Sequence, residues 1–374
     1  MKVYLDNAAT TPVLKEVVET VKDAMLNFYG NPESLNEEGT KANEALENAR
    51  KLIANSINAS SNELIFTSGA TESNNLAILG LAYQNKDKNH VITTKIEHPS
   101  VLNCFEKLKK QGYEVTYLDV DKEGYADLEQ LNDSITDKTA LVSVIHGNHE
   151  IGTIQSLNLI GKICKEKDVL FHVDASQSFL KVPIDVKKDN ISLLTLNSHK
   201  IHGPKGVGAL YIKQGVKLFK MEFGGPQEFD IRPGTQNVPA ILGFAKAVEL
   251  NNIEKDSAYI RKLRDKLIRE FSAMPKVSLN GPIANRLCNN VNVTIHGIEN
   301  ERMLMHLNEK EIYIGTGSAC TAKTMKASHV LKAIGLKDED ARCSIRISLS
   351  KLNTEKEIDY ALTEIKKAIK EIRG

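Results

Sequence analysis

Seven short runs of mostly apolar residues punctuate the first part of the chain, and they decide what it can fold into. They are Glu63–Thr67, His90–Thr94, Glu114–Leu118, Ala140–His146, Val169–Asp174, Leu193–Leu196 and Gly208–Ile212. Several, such as ALVSVIH and VLFHVD, are continuous rather than alternating. A strand wetted on one side alternates polar and apolar residues, whereas a continuous run suits a strand covered on both faces of a parallel sheet. Between the runs lie helix-spaced stretches such as Ser73–Gln84 and Leu157–Lys167. Strand and helix in alternation predict an α/β domain with a mostly parallel central sheet and right-handed crossovers.

The pattern changes after residue 255. Ile260–Ala273 reads as a helix, and Val291–Ile295 and Cys343–Leu349 read as strands with polar residues in alternation, so one face of each is expected to meet solvent. Ile358, Ala361, Leu362, Ile365, Ala368, Ile369 and Ile372 recur at helical spacing behind Thr354, a suitable N-cap. A chain of 374 residues exceeds the usual size of a single core. The expected layout is an N-terminal segment 1–14 packing with the small domain, a large α/β domain 15–255, and a smaller α+β domain 256–374.

Charge and cysteine usage exclude several function classes. Lys+Arg 49 against Asp+Glu 48 leaves a net charge of +1, with no field to draw nucleic acid or an anionic membrane. No stretch nears the roughly 20 apolar residues of a membrane-spanning helix. The opening MKVYLDNAATTP holds an aspartate and no apolar run, so no secretory leader is expected. Cys104, Cys164, Cys288, Cys320 and Cys343 include no CxxC pair. Neither a metal cage nor a disulfide framework is expected, and a reducing, cytoplasmic setting fits. Four of the five read as small buried hydrophobes.

Three turns, each following an apolar run, carry chemistry. In Thr67-Ser68-Gly69-Ala70-Thr71-Glu72 a strand ends, glycine permits a tight turn and a helix begins. The free N–H groups of such a helix start suit phosphate, although Ser and Thr there also serve simply as caps. In His172-Val173-Asp174-Ala175-Ser176-Gln177 a carboxylate stands at the end of a buried strand, where open α/β sheets bind ligands; an N-cap is the alternative. In Ser198-His199-Lys200-Ile201-His202-Gly203-Pro204-Lys205 a lysine follows the next strand. A lysine near a desolvated site loses its proton readily and becomes a nucleophile, and Lys205 competes for that role. Cys320 sits apart in Gly315-Thr316-Gly317-Ser318-Ala319-Cys320-Thr321-Ala322-Lys323, where glycines and small residues predict a mobile loop rather than core. A nucleophilic thiol needs that access.

These turns come in the order found in fold-type I pyridoxal 5'-phosphate enzymes, and the chain resembles the cysteine desulfurases, in the group with the long active-site loop. The resemblance rests on Tyr4–Pro12, Gly30-Asn31-Pro32, the GATES turn, Glu97-His98, Asp174–Gln177, Ser198–Pro204, Gln227-Glu228 with Arg232, Gly234 and Thr235, Gly317–Thr321 and Ser344-Ile345-Arg346. It covers nearly the whole chain. It implies that Lys200 tethers the cofactor and moves protons at the substrate Cα, and that His98 stacks on the ring as an acid–base group. Asp174 would pair with the ring nitrogen, and Gln177, with Asn148 and His149, would lie at the cofactor. Ala70, Thr71, Ser198 and His199 would hold its phosphate, and Thr235 would complete the phosphate site of a neighbouring subunit in a homodimer. Arg346, with Asn31, would bind the substrate L-cysteine. Cys320 would take its sulfur as a persulfide and hand it to an acceptor such as an iron–sulfur scaffold or a tRNA-thiolating enzyme.

The sequence departs from that pattern at His149, where asparagine is usual, at Asn36 in place of histidine, and at Pro226 and Ser350 in place of glycines. None falls at the positions of Lys200, Asp174, His98 or Cys320. A selenocysteine lyase, a cysteine sulfinate-type lyase or an aminotransferase on the same scaffold is the alternative, and the GSACT segment argues against the first.

Overall fold

A computed structural model of the chain describes residues 1–316 and 327–374, so Cys320 lies outside the described residues. The apolar runs form one seven-stranded sheet in the order Leu64–Thr67, Gly208–Ile212, Leu193–Asn197, Leu170–Asp174, Thr139–Ile145, His90–Thr94 and Glu114–Leu118. All neighbours run parallel except Gly208–Ile212, which is antiparallel to both of its partners. The expected α/β class with a mostly parallel sheet is what the chain adopts. Strand ends shift from expectation by a residue or so. Ser61–Glu63 forms a 3-10 turn ahead of the first strand, and its Glu63 accepts from the Ser60 N–H at 3.0 Å.

Helices cover both faces, which is why the strands read as continuous apolar runs. On one face Phe171, Val173, Leu194 and Leu196 pack with Ile53, Ile57 and Phe244. On the other Leu141, Leu193 and Leu210 pack with Ile78, Leu81 and Phe105 from the helices Ala70–Gln84 and Pro99–Lys110. From Leu76 to Ala82 the Ala70–Gln84 helix is apolar all round because that stretch lies within the layer.

A separate apolar cluster joins Val3 and Leu5 to Ile260, Leu267, Phe271, Val291, Val293, Ile345, Ile347 and the inner stripe of the Glu355–Arg373 helix. Thr354 caps that helix with a reciprocal bond to Glu357. Val3–Tyr4 pairs in parallel with Ile312–Tyr313, and Asn290–Ile295 pairs antiparallel with both Val277–Leu279 and Ser344–Ser348.

One expectation fails here. Asn290–Ile295 and Ser344–Ser348 are buried at every position, so neither has a solvated face. Their alternate polar residues face other chain segments instead of water. Asn290 and Asn292 donate to the Glu150 carbonyl at 2.9 and 3.2 Å, the Ser348 hydroxyl accepts from the Ala8 N–H at 2.8 Å, and Arg346 pairs with Asp6. A polar face met by polar backbone mimics a wet face in the sequence. Among the cysteines, Cys104, Cys164 and Cys288 are buried as expected, whereas Cys343 is only partly so.

Candidate active site

Asp174 ends the central strand of the sheet, and Lys200 follows the end of its neighbour, Leu193–Asn197. The C-terminal edge of a parallel sheet leaves a crevice there because the chain turns to opposite faces on its two sides. The crevice is a cavity of about 520 Å³ lined by Asp174, Lys200, His98, His149, Thr71 and Arg346 among others. Ala70, Gln177 and His199 also line it.

The carboxylate of Asp174 is buried and accepts only from neutral donors. Asn74 Nδ2 donates to it at 3.0 Å, and the Ser176 backbone N–H at 2.9 Å, joined by the Ser176 hydroxyl. Among the described residues no side-chain cation pairs with it. Burial alone would raise this carboxyl. The Ser176 bonds, the nearby His98 and the Asn74 amide more than offset that, and hold it below the ordinary range. The site thus keeps a full negative charge in a closed place.

His98 caps the Pro99–Lys110 helix and is tied to that carboxylate through a short chain of bonds. Asn74 Nδ2 donates also to Ser100 Oγ at 2.9 Å, and Ser100 Oγ lies 2.8 Å from His98 Nδ1. The Ser100 N–H donates to the same Nδ1 at 3.1 Å, so the ring proton sits on Nε2. Burial, then the Lys200 charge, pushes His98 down to about 4, which leaves the imidazole neutral at physiological pH. His199, which is within 3.2 Å of Thr10 Oγ1, is likewise pushed down to about 4 by burial and then by Lys200 and Lys205.

The Ala70–Gln84 helix begins at Gly69 with φ of 148°, a conformation that suits glycine, and no side chain caps it. Gly208 passes so close that a Cβ there would meet Gly69 Cα at 2.7 Å. The N–H groups of the helix start and the buried Ser198 hydroxyl, which has no hydrogen-bond partner among the described residues, are of a kind that suits an anion.

His149 is buried, and among the described residues both ring nitrogens lack hydrogen-bond partners. Its ring stands edge-on to His98, with centroids 5.3 Å apart, and Nε2 lies 3.7 Å from Glu150 Oε1. Burial first, then His98, Arg346 and Lys200, holds it well below the usual histidine range. Arg346 donates to the His149 carbonyl at 3.0 Å and to Asp6 at 2.8 Å, and its buried Nε has no hydrogen-bond partner among the described residues.

Other expected site residues stand apart. The Asn148 side chain is taken up by backbone, donating to the Ile96 carbonyl at 2.9 Å and accepting from the Glu150 and Ile151 N–H groups. Thr235 and Asn31 are exposed, and Asn31 accepts from the Glu33 N–H at 3.0 Å. Lys205 is exposed and also lines the cavity. Asn36 caps the Glu37–Asn55 helix by accepting from the Gly39 N–H at 2.9 Å. Residues the sequence reading missed include Asn74, Ser100, Asn197 and the Ala8–Thr10 stretch, which line the cavity or fix its walls. Only Ala8–Thr10 carried a signal, within the opening motif.

Glu97, beside His98, is wholly buried and accepts from Thr94 Oγ1 at 2.6 Å and the Ile145 N–H at 2.9 Å. Burial pushes its carboxyl up to about 8 from an ordinary 4.5. The folded state therefore holds a proton that the unfolded chain releases, so stability falls as pH rises from 4.5 through about 8. Glu97→Gln, neutral at every pH, is expected to raise the thermal midpoint at pH 8 by on the order of 2–4 °C. The gain should fade towards pH 5. Thermal unfolding at both values checks this, and an equal shift at both would contradict it.

A parallel sheet whose edge carries a lysine, a guarded carboxylate and an uncapped helix start defines a pyridoxal-phosphate type of α/β enzyme. A profile for class-V aminotransferases matches residues 3–361. The chain belongs to that family and, within it, to the cysteine desulfurases. It is 48% identical over 375 residues to cysteine desulfurase IscS of Methanosarcina thermophila, covering all of this chain and 93% of that one. Cysteine desulfurase IscS 1 of Archaeoglobus fulgidus is 44% identical, with 99% and 98% covered. Among solved structures, a NifS-like protein superposes with a TM-score of 0.93 at 37% identity, covering 99% of this chain and 100% of its own. SspA in complex with cysteine gives 0.85 at 39% identity, with 94% and 100% covered.

Proposed function

We propose that this cavity takes L-cysteine, removes its sulfur onto Cys320 and releases L-alanine. The observation that carries the reading is the convergence of Lys200, Asp174 and His98 on one cavity, with the residues flanking the Cys320 segment bonded to Arg346 in its lining and to Glu150 and Glu97, the chain neighbours of the lining residues His149 and His98. Gly315 exchanges backbone bonds with Arg346 at 2.9 and 2.7 Å before the segment. After it, the Ser328 hydroxyl donates to Glu150 at 2.5 Å and His329 Nε2 lies 2.9 Å from the Glu97 carbonyl.

The residues fit pyridoxal phosphate, on which this family depends. The carboxylate of Asp174 has room for a cationic ring nitrogen, the helix start with Thr71, Ser198 and His199 suits the phosphate, and Lys200 supplies the tethering amine. His149 and Gln177 would border the ring, while Asn148 would act by shaping the turn that carries His149. When bound, the cofactor supplies an electron sink that acidifies the substrate Cα. Lys200 then takes the Cα proton, and the neutral His98 moves protons at the substrate from Nε2. Arg346, held by Asp6, would bind the substrate carboxylate. The Cys320 thiolate attacks the substrate sulfur, so that the S–S bond forms as the Cβ–S bond breaks. The carbon fragment gains protons and leaves as alanine, and the sulfur stays on the enzyme.

The same reading includes a homodimer. Met25, Leu26, Tyr29 and Leu35 are 64%, 66%, 71% and 101% exposed, an apolar surface that a second copy would cover, and exposed Thr235 would serve its phosphate site. It treats 15–255 and 256–374 as two domains, with 1–14 joined to the second. It also assigns a reducing, cytoplasmic setting and transfer to a sulfur-acceptor protein. No helix among the described residues is long and apolar enough to cross a membrane. Incubation with cysteine and a reductant is expected to yield sulfide and alanine in equal amounts. Pyruvate and ammonia in place of alanine would contradict the reading.

A further inference from the structure

Lys181 lies just beyond the turn that follows the Asp174 strand, and the chemistry above does not use it. Its Nζ donates to the backbone carbonyl of Gln177 at 2.9 Å and to that of Lys200 at 3.2 Å. Its own carbonyl accepts from the Ser257 hydroxyl at 3.0 Å, which fastens it to the Ile253–Ser272 helix. One ammonium thus ties together the two turns that present Gln177 and Lys200 to the cavity. It lines a small void of about 30 Å³, and Lys200 borders both that void and the active-site cavity.

The charged and titratable groups around Lys181 are Lys200, His202, Asp256 and Lys351 at the void, the Cys288 thiol and, towards the site, His199. The one carboxylate among them, Asp256, is taken by Lys351 at 2.9 Å. The positive charge of Lys181 is therefore held by carbonyl dipoles, with no anion among the described residues paired to it. That field reaches the site: after burial, Lys200 and Lys205, it is a further cause of the lowering of His199. A cation beside an amine disfavours a second proton there, which leaves the amine nucleophilic.

We propose that Lys181 is a positioning residue for Lys200: its ammonium clamps the backbone of the Lys200 turn and, as a neighbouring cation, keeps the proton off the Lys200 nitrogen. The inference rests on Lys200 being the residue that carries the cofactor. Burial lowers Lys181 itself to about 8, against an opposing pull from Cys288, so the charge of the clamp weakens above that pH.

The test compares holoenzyme of the wild type, Lys181→Gln and Lys181→Arg. Borohydride reduction and peptide mapping locate the cofactor-bearing lysine. A pH titration of the bound cofactor's visible absorption then reports protonation of the Lys200-bound nitrogen. The midpoint should rise by about one pH unit in Lys181→Gln, the size a unit charge several ångströms away produces in protein. It should stay near the wild-type value in Lys181→Arg, and the acid limb of the rate profile should move with it. Lys181→Met, close in length and volume, takes the place of the glutamine variant if that variant does not load cofactor. Cofactor on Lys200 with midpoints unmoved, or moved equally by the neutral and cationic substitutions, overturns the role of Lys181 and leaves Lys200 standing. Cofactor mapped to another residue in the wild type overturns both.

Discussion

Lys200→Ala is expected to lose alanine formation by at least about a thousand-fold while keeping its fold. Two losses combine in this variant. The amine comes from a turn pinned on both sides: the Lys200 N–H donates to Asn197 Oδ1 at 3.3 Å, and its carbonyl accepts from Lys181. The same amine is the base for the Cα proton, and a positioned base contributes roughly 10²–10⁴-fold alone. Lys200→Arg should fare no better, because a guanidinium keeps its proton throughout the accessible pH range. Far-ultraviolet circular dichroism should match the wild type, since the side chain lines two cavities rather than filling core. Lys205 is exposed and also lines the active-site cavity; if it were the working lysine, Lys200→Ala would retain most of its activity.

Cys320→Ser is expected to abolish sulfur transfer to an acceptor and to cut alanine formation by roughly a thousand-fold or more, because a missing nucleophile removes the bond-forming step itself. The cofactor should still bind and its absorption should still change on adding cysteine, since none of the groups expected to hold it is altered. That combination separates a desulfurase from an aminotransferase on the same scaffold, which needs no thiol.

Much of the fold was legible because burial on both faces of a sheet leaves a mark on every residue of a strand. Thr139–Ile145 and Leu170–Asp174 could be read within a residue for that reason. The strands Asn290–Ile295 and Ser344–Ser348 misled because their second face is covered by polar backbone and by Asp6, contacts set by tertiary structure that leave the same alternation as water. In the site, Asp174 and Lys200 stood out as charges placed directly after apolar runs. Asn74 and Ser100 did not: each is an ordinary residue near a helix start, and only the adjacency of two helix N-termini joins them into the chain from Asp174 to His98. The pairing of Arg346 with Asp6 spans 340 positions and has no local signature.

The account depends most on a sulfur atom moving to residue 320. Holoenzyme should be given one equivalent of L-cysteine without reductant, quenched in acid and digested, and the Cys320 peptide weighed while free alanine is counted. One added sulfur on Cys320 for each alanine released is the expected result. Alanine released in full with residue 320 unmodified, or at an undiminished rate from Cys320→Ser, would contradict it.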